Sequence, residues 1–183
     1  MCLNKKNLFL IFFLLLLSKA NSSEKNNIIE NLKNLKNFTF QFEQNINEKT
    51  ESGECTIEYP KKIKCTYNSS NNKILISNGK SLVIKTDISY FIYPINKTPF
   101  NFILDKNYLL KKIKRLDERI VSDKFINYVF SENDNEMNLF FDKKTFYLIG
   151  WQTKDIYQNL SITYINIIDI NRNLEKNLFK IPK

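Results

Sequence analysis

Three cysteines, Cys2, Cys55 and Cys65, are the only thiols in this 183-residue chain, which has no histidine and three glycines. Without imidazole there is no His-based triad or dyad, and the commonest zinc and haem ligand sets are closed; three thiols alone make a poor metal site. No C-x-x-C spacing occurs, which argues against a dithiol redox centre. Phosphate-cradling loops need more glycine than is available: there is no G-x-G-x-x-G, and Gly79-Lys80-Ser81 has Ile74 where a phosphate loop requires its first glycine. Asp105, Asp117 and Glu118 could be read as paired carboxylates for glycoside chemistry. Asp105 falls in a turn between two helical stretches, however, and the charges over 111–119 read as a solvated face. A periplasmic hydrolase with a Ser or Asp nucleophile is a further class, without a G-x-S-x-G elbow to support it. No enzymatic activity, cofactor or metal is expected, and the remaining chemistry is burial and binding.

Cys55 and Cys65 lie in a segment that alternates on both sides of Pro60. Cys55, Ile57 and Tyr59 share one face of their strand, and so do Ile63, Cys65 and Tyr67 of theirs. A hairpin that pairs Ile57 with Ile63 sets Cys55 directly opposite Cys65, so parity and register both predict a disulfide. The alternative is two unpaired thiols packed as small apolar groups. Oxidation requires export, and the N-terminus supplies the signal: Lys5 and Lys6, an apolar run from Leu8 to Leu17, then Ser18-Lys19-Ala20. This reads as a signal peptide over 1–20, followed by one domain over 21–183. Ten apolar residues fall short of the roughly 20 needed by a spanning helix. Cys2 precedes the apolar run, so no lipid-attachment cysteine follows it, and a periplasmic, soluble, monomeric product is expected.

The chain carries 28 basic and 19 acidic residues; the leader would remove three lysines and no acid, leaving a net charge of +6. The basic residues are 25 Lys and 3 Arg, spread thinly, beside 26 Asn. Such a bias reads as AT-rich coding rather than as a basic patch, and nucleic acid is not an expected partner.

Around the hairpin, the periodicity predicts a helix over 24–36 (Ile28, Ile29, Leu32, Leu35) with Ser22 or Ser23 as its cap. A strand with Phe38, Phe40 and Phe42 on one face follows. Strands Lys73–Ser77 and Lys80–Thr86 flank Asn78-Gly79, a two-residue turn signal, and Ile88–Tyr93 forms another strand. Thr98-Pro99 reads as a cap and first helical residue opening Phe100–Leu104, and a second helix carries Leu109, Leu110, Ile113 and Leu116. Strands are then expected over 118–122, 125–131, 136–141, 145–152 and near 156–168. In the last, Ile156, Leu160, Ile162, Tyr164 and Ile168 share a face opposite Tyr157, Asn159, Ser161, Thr163 and Asp169. The fold class is mainly β (α+β): one strongly curved antiparallel sheet or unclosed barrel with an N-terminal helix and a short helical lid over an apolar cavity.

The order of these features resembles the LolA family of periplasmic outer-membrane lipoprotein carriers. The likeness rests on Phe40-x-Phe-x-Gln44, Ser52-Gly53 ahead of Pro60, Ser77-Asn-Gly-Lys-Ser-Leu82, Thr98-Pro-Phe100, Asn138-Leu-Phe-Phe-Asp142 with Leu148-x-x-Trp151, and Leu178-Phe-x-x-Pro182. The resemblance implies a chaperone that takes acylated lipoproteins from an inner-membrane lipoprotein-releasing ABC transporter. It would pass them to an outer-membrane acceptor, LolB-like or absent in lineages that lack one. A related lipid-binding or lipoprotein-sensing domain is the alternative. Family members have Arg before the hairpin Pro as a lid latch; Tyr59 stands there, so either the latch is missing or it is built differently.

A carrier must also release its cargo. Each buried methylene contributes about 0.8 kcal/mol, so fully sequestered chains would bind too tightly unless a lid packed in the empty state offsets the gain. The candidate lid residues are Phe100, Phe102, Ile103, Leu104, Leu109 and Leu110; the candidate cavity residues on the sheet are Phe38, Phe40, Phe42, Ile57, Tyr59, Ile63 and Tyr67. At any single one of these positions, ordinary core is the stronger reading.

Overall fold

The computed structural model describes residues 24–182 except 70, 122, 133–134 and 155–158, and only the backbone of Asn135. The leader over 1–20, the caps Ser22 and Ser23, and Ile156 and Tyr157 lie outside the described residues. Among the described residues no helix is long and apolar enough to cross a membrane.

The chain opens with helix α1 (Glu24–Asn34), whose Ile28, Ile29 and Leu32 are buried. An antiparallel run follows: β1 (Asn37–Ile46), β2 (Lys49–Glu58), β3 (Lys62–Tyr67), β4 (Ile74–Asn78), β5 (Ser81–Lys85) and β6 (Tyr90–Pro94). A 3-10 turn (Ile95–Lys97), α2 (Phe100–Ile103) and α3 (Lys106–Arg115) then make the lid, before β7 (Arg119–Val121), β8 (Phe125–Glu132), β9 (Asn135–Asp142), β10 (Leu148–Lys154) and β11 (Leu160–Ile170). The eleven strands form one sheet in the order β6-β5-β4-β3-β2-β1-β11-β10-β9-β8-β7. Its two end strands do not pair with each other, so the sheet is an unclosed barrel. Phe38, Phe40, Ile57 and Ile63 from the concave face pack with Ile103, Leu104, Leu109 and Ile113 of the lid and Ile28 of α1, all nearly inaccessible to solvent.

The β2–β3 register follows the parity argument: Ile57 pairs with Ile63 and Cys55 with Cys65. The two cysteines form a disulfide, with both side chains in the core. Gly53 sits between Phe42 and Tyr67 on neighbouring strands. Their rings meet edge-on at 5.0 Å over the space a side chain would fill. A Cβ there would run into the Thr66 carbonyl oxygen, so this strand position needs glycine.

Four local expectations change. β4 runs through Asn78 and β5 starts at Ser81, so the two-residue connection is Gly79-Lys80, one position later than Asn78-Gly79. Asn78 Oδ1 accepts from the amides of Lys80 and Ser81, and this Asx turn fixes the shifted loop. Thr98 does not cap the lid helix with its side chain; its hydroxyl donates back to the Ile95 carbonyl at 2.9 Å and closes the 3-10 turn. Strand β10 begins at Leu148, not near 145, because Asp142 Oδ1 gathers Lys144 N and the Thr145 amide and hydroxyl into a turn. Finally, β11 is turned opposite to its apolar alternation. Ser161, Thr163 and Ile165 face inward and are buried, while Leu160, Tyr164 and Ile168 are about half exposed on the convex face.

Past β11, Asn171 takes a left-handed backbone (φ 55) and clamps the chain to α1. Its side chain accepts from Lys36 N and donates to the Asn34 carbonyl. The tail then crosses the convex face, where Phe179 is buried under the Lys62 ammonium and Tyr90 donates to the Pro182 carbonyl at 2.9 Å.

Candidate lipid-binding cavity

Between the lid and one half of the concave face lies a cavity of about 300 Å³, at the lower end of the range for small-molecule sites. Alternation places its walls. Leu75 of β4, Leu82 and Ile84 of β5, and Phe91 and Tyr93 of β6 form an apolar side; Pro99, Phe100 and Ile103 form the roof; Trp151 stands across from them. Trp151 meets Phe40 edge-on at 6.3 Å, which separates the cavity from the packed core beneath.

The remaining wall is polar. Gln44 on β1 donates through Nε2 to Ser161 Oγ at 3.0 Å and Thr163 Oγ1 at 3.2 Å on β11, and Thr153 of β10 completes the patch. At the rim, Lys73 bonds both oxygens of Glu51 (2.6 and 2.7 Å) while its ammonium sits 4.2 Å from the Tyr67 ring centre. Burial, and then the adjacent Glu51 carboxylate, push the Tyr67 phenol well above its ordinary value, so it remains a neutral donor. Lys154, exposed, is the other rim cation.

Of the residues singled out from sequence, Tyr67, Phe100 and Ile103 line this cavity. Phe40, Phe42, Ile57, Ile63, Phe102, Leu104 and Leu109 lie in the core cluster, and Leu110 packs half-buried against it. Phe38 and Tyr59 border a second, much smaller space under α1, of about 10 Å³. The lining from Gln44, Leu75, Leu82, Ile84, Phe91, Tyr93, Trp151, Thr153 and Ser161 was not singled out as a site. Its apolar members carry the same period-two signal as core, and the hydroxyl positions look like a solvent face. No cluster of metal-ligating side chains occurs among the described residues.

A family profile described as outer membrane lipoprotein carrier protein LolA matches residues 33–182. The chain belongs to the LolA family. Solved structures are similar to it at low identity. MucB superposes with a TM-score of 0.50 at 9% identity over 90% of this chain and 64% of its own. A LolA superfamily protein from Nitrosomonas europaea gives 0.45 at 7% identity (87% and 99%). The Mycobacterium tuberculosis lipoprotein LppX gives 0.44 at 10% (83% and 95%). No curated protein sequence matches the chain.

In this LolA-family chain the lid is tied to the hairpin one residue past Pro60. Lys61, left-handed at φ 64, donates its amide to the Leu104 carbonyl at 2.8 Å, and its ammonium lies 3.3 Å from Asp105. Asp105 in turn caps α3 by accepting from Tyr108 N at 3.0 Å. Tyr59 itself packs on Phe38, and the Lys106 ammonium sits 5.8 Å from its ring while donating to the carbonyls of Lys33 and Leu35. On the far side, Lys112 and Tyr108 of α3 both bond Glu132 on β8, at 2.6 and 2.9 Å. The Lys112 bond, then the Tyr108 bond, hold the Glu132 carboxyl below its ordinary range. The lid is not fully satisfied: Asn101 Oδ1 is buried with no hydrogen-bond partner in the protein. Such a group costs about 1–3 kcal/mol.

Proposed function

We propose that this chain is an envelope lipoprotein carrier. Its cavity shields the acyl chains of lipoproteins released from the inner membrane until an outer-membrane acceptor takes them. The observation that carries this reading is the apolar cavity under a tied lid in a LolA-family chain. Acyl chains would enter along Leu75, Leu82, Ile84 and Phe91 as Phe100 and Ile103 move off. Residues 1–20 would direct export and be removed, and the donor would be a lipoprotein-releasing ABC transporter. The buried lid residues Phe102, Leu104 and Leu109 would refill the space left by departing cargo, limiting affinity so that transfer is possible. Nothing in this cycle requires bond making or breaking, so no catalytic residue is assigned.

Depletion in cells tests it. Lipoproteins should accumulate at the inner membrane, and native mass spectrometry of protein recovered from the periplasm should show bound acylated species. Normal departure of lipoproteins from the inner membrane in depleted cells would reject the carrier role.

A further inference from the structure

A cavity built only to hide hydrocarbon has no use for a polar wall, yet β11 is arranged to provide one. It leaves Leu160 and Tyr164 about half exposed on the convex face and turns Ser161 and Thr163 inward, each 3% exposed. An ordinary half-covered strand does the reverse. The hydroxyls are organised by Gln44, whose amide nitrogen donates to both. Ser161 accepts through Oγ and keeps its own hydroxyl hydrogen to donate, and Gln44 keeps Oε1 to accept. Both residues line the cavity opposite Leu82 and Phe91. Of the two rim cations, Lys73 is already neutralised by Glu51.

We propose that Gln44 and Ser161 form a head-group subsite for the ester or amide linkage of an acylated ligand, whose chain lies against Leu82, Ile84 and Phe91. This rests on the acyl-binding reading above. Ser161 donates to a linkage carbonyl, and Gln44 Oε1 accepts from an amide N–H or glyceryl hydroxyl. The chemistry is that of a neutral, carbonyl-rich head, as found both in an acylated lipoprotein N-terminus and in a diacylglycerol.

The test displaces an apolar fluorophore from the full mature chain with three probes: a triacylated cysteinyl peptide, dipalmitoylglycerol and hexadecane. Gln44→Leu and Ser161→Ala, each checked for unchanged circular dichroism and thermal midpoint, should weaken the peptide about five- to tenfold and leave hexadecane unchanged or tighter. Equal loss for dipalmitoylglycerol means the shared ester linkage is read; loss for the peptide alone means the lipoprotein head is read. Unchanged peptide affinity in both folded variants, or a parallel loss for hexadecane, would overturn the subsite while leaving acyl binding intact. Wild-type protein that takes up neither peptide nor hexadecane would overturn the acyl-binding reading and the subsite together.

Discussion

Reducing the Cys55–Cys65 bridge should cost this protein stability without changing its native structure. The two residues are direct cross-strand partners flanked by Ile57–Ile63 on one side and Gly53–Tyr67 on the other. Both are buried, 4% and 3% exposed, so the thiols stay in place as small apolar groups and the ladder persists. The loss is then confined to the unfolded chain, where the bridge closes a loop with a sequence separation of 10. Loop-closure entropy gives about 2.7 kcal/mol for a loop of that length. With a urea m-value of about 2 kcal/mol/M, the midpoint should fall by about 1.3 M at constant m. Trp151 fluorescence with and without reductant provides the assay, with complete reduction verified by a mass gain of two hydrogens. Fluorophore uptake under native conditions should not change, because the Lys61 tie to Leu104 depends on the ladder and not on the sulfur bond. A fully reduced protein with an unshifted midpoint would refute this account, and so would a shift that comes with a smaller m.

Three further outcomes follow from the lid and hairpin. Asn101→Leu removes an unpaired buried oxygen from the closed lid. It should stabilise closure by about 1–3 kcal/mol and weaken acyl-peptide uptake by a corresponding factor of roughly 5 to 150; equal uptake by mutant and wild type would sink the idea. The Glu132 tie is lost at acid pH: a carboxyl held below its ordinary 4.5 contributes its stabilisation above that value and loses it as pH falls through the folded pKa. Fluorophore uptake should therefore rise below about pH 4.5, and Glu132→Gln should raise it at neutral pH and flatten the acid limb. Gly53→Ala places a methyl group against the Thr66 carbonyl and the Phe42 ring; it should destabilise by about 1–3 kcal/mol in thermal or urea melts.

Much of the fold was readable because its strands alternate and its turns carry their own chemistry. Two cysteines at matched parity about Pro60 sufficed to set the β2–β3 register, since a slip of one residue would have put them on opposite faces. The lid was visible as a break in that alternation between Pro94 and Glu118. The inward face of β11 was not visible. Alternation tells that two faces differ, and the usual assumption that the apolar one is inside fails where the interior includes a polar wall. The cavity lining was hidden for a related reason: Leu82, Ile84, Phe91 and Tyr93 repeat every second residue as core does, and only the position of α2 decides that space remains above them. The rebuilt lid tie at Lys61 depends on a left-handed backbone at a non-glycine residue, for which the sequence carries no local mark.

The wall made by β6 is joined to the rest of the sheet through β5 alone. In a closed barrel, strand number and stagger set the bore, and widening it means breaking ladder hydrogen bonds. Here the sleeve has a slit. Its bore can follow its contents by a swing of the β5–β6 hairpin and the lid segment attached to it, with every strand pairing kept. On the proposed carrier reading, such a bore accepts ligands differing in the number and length of their chains, and the same slit gives them a sideways exit.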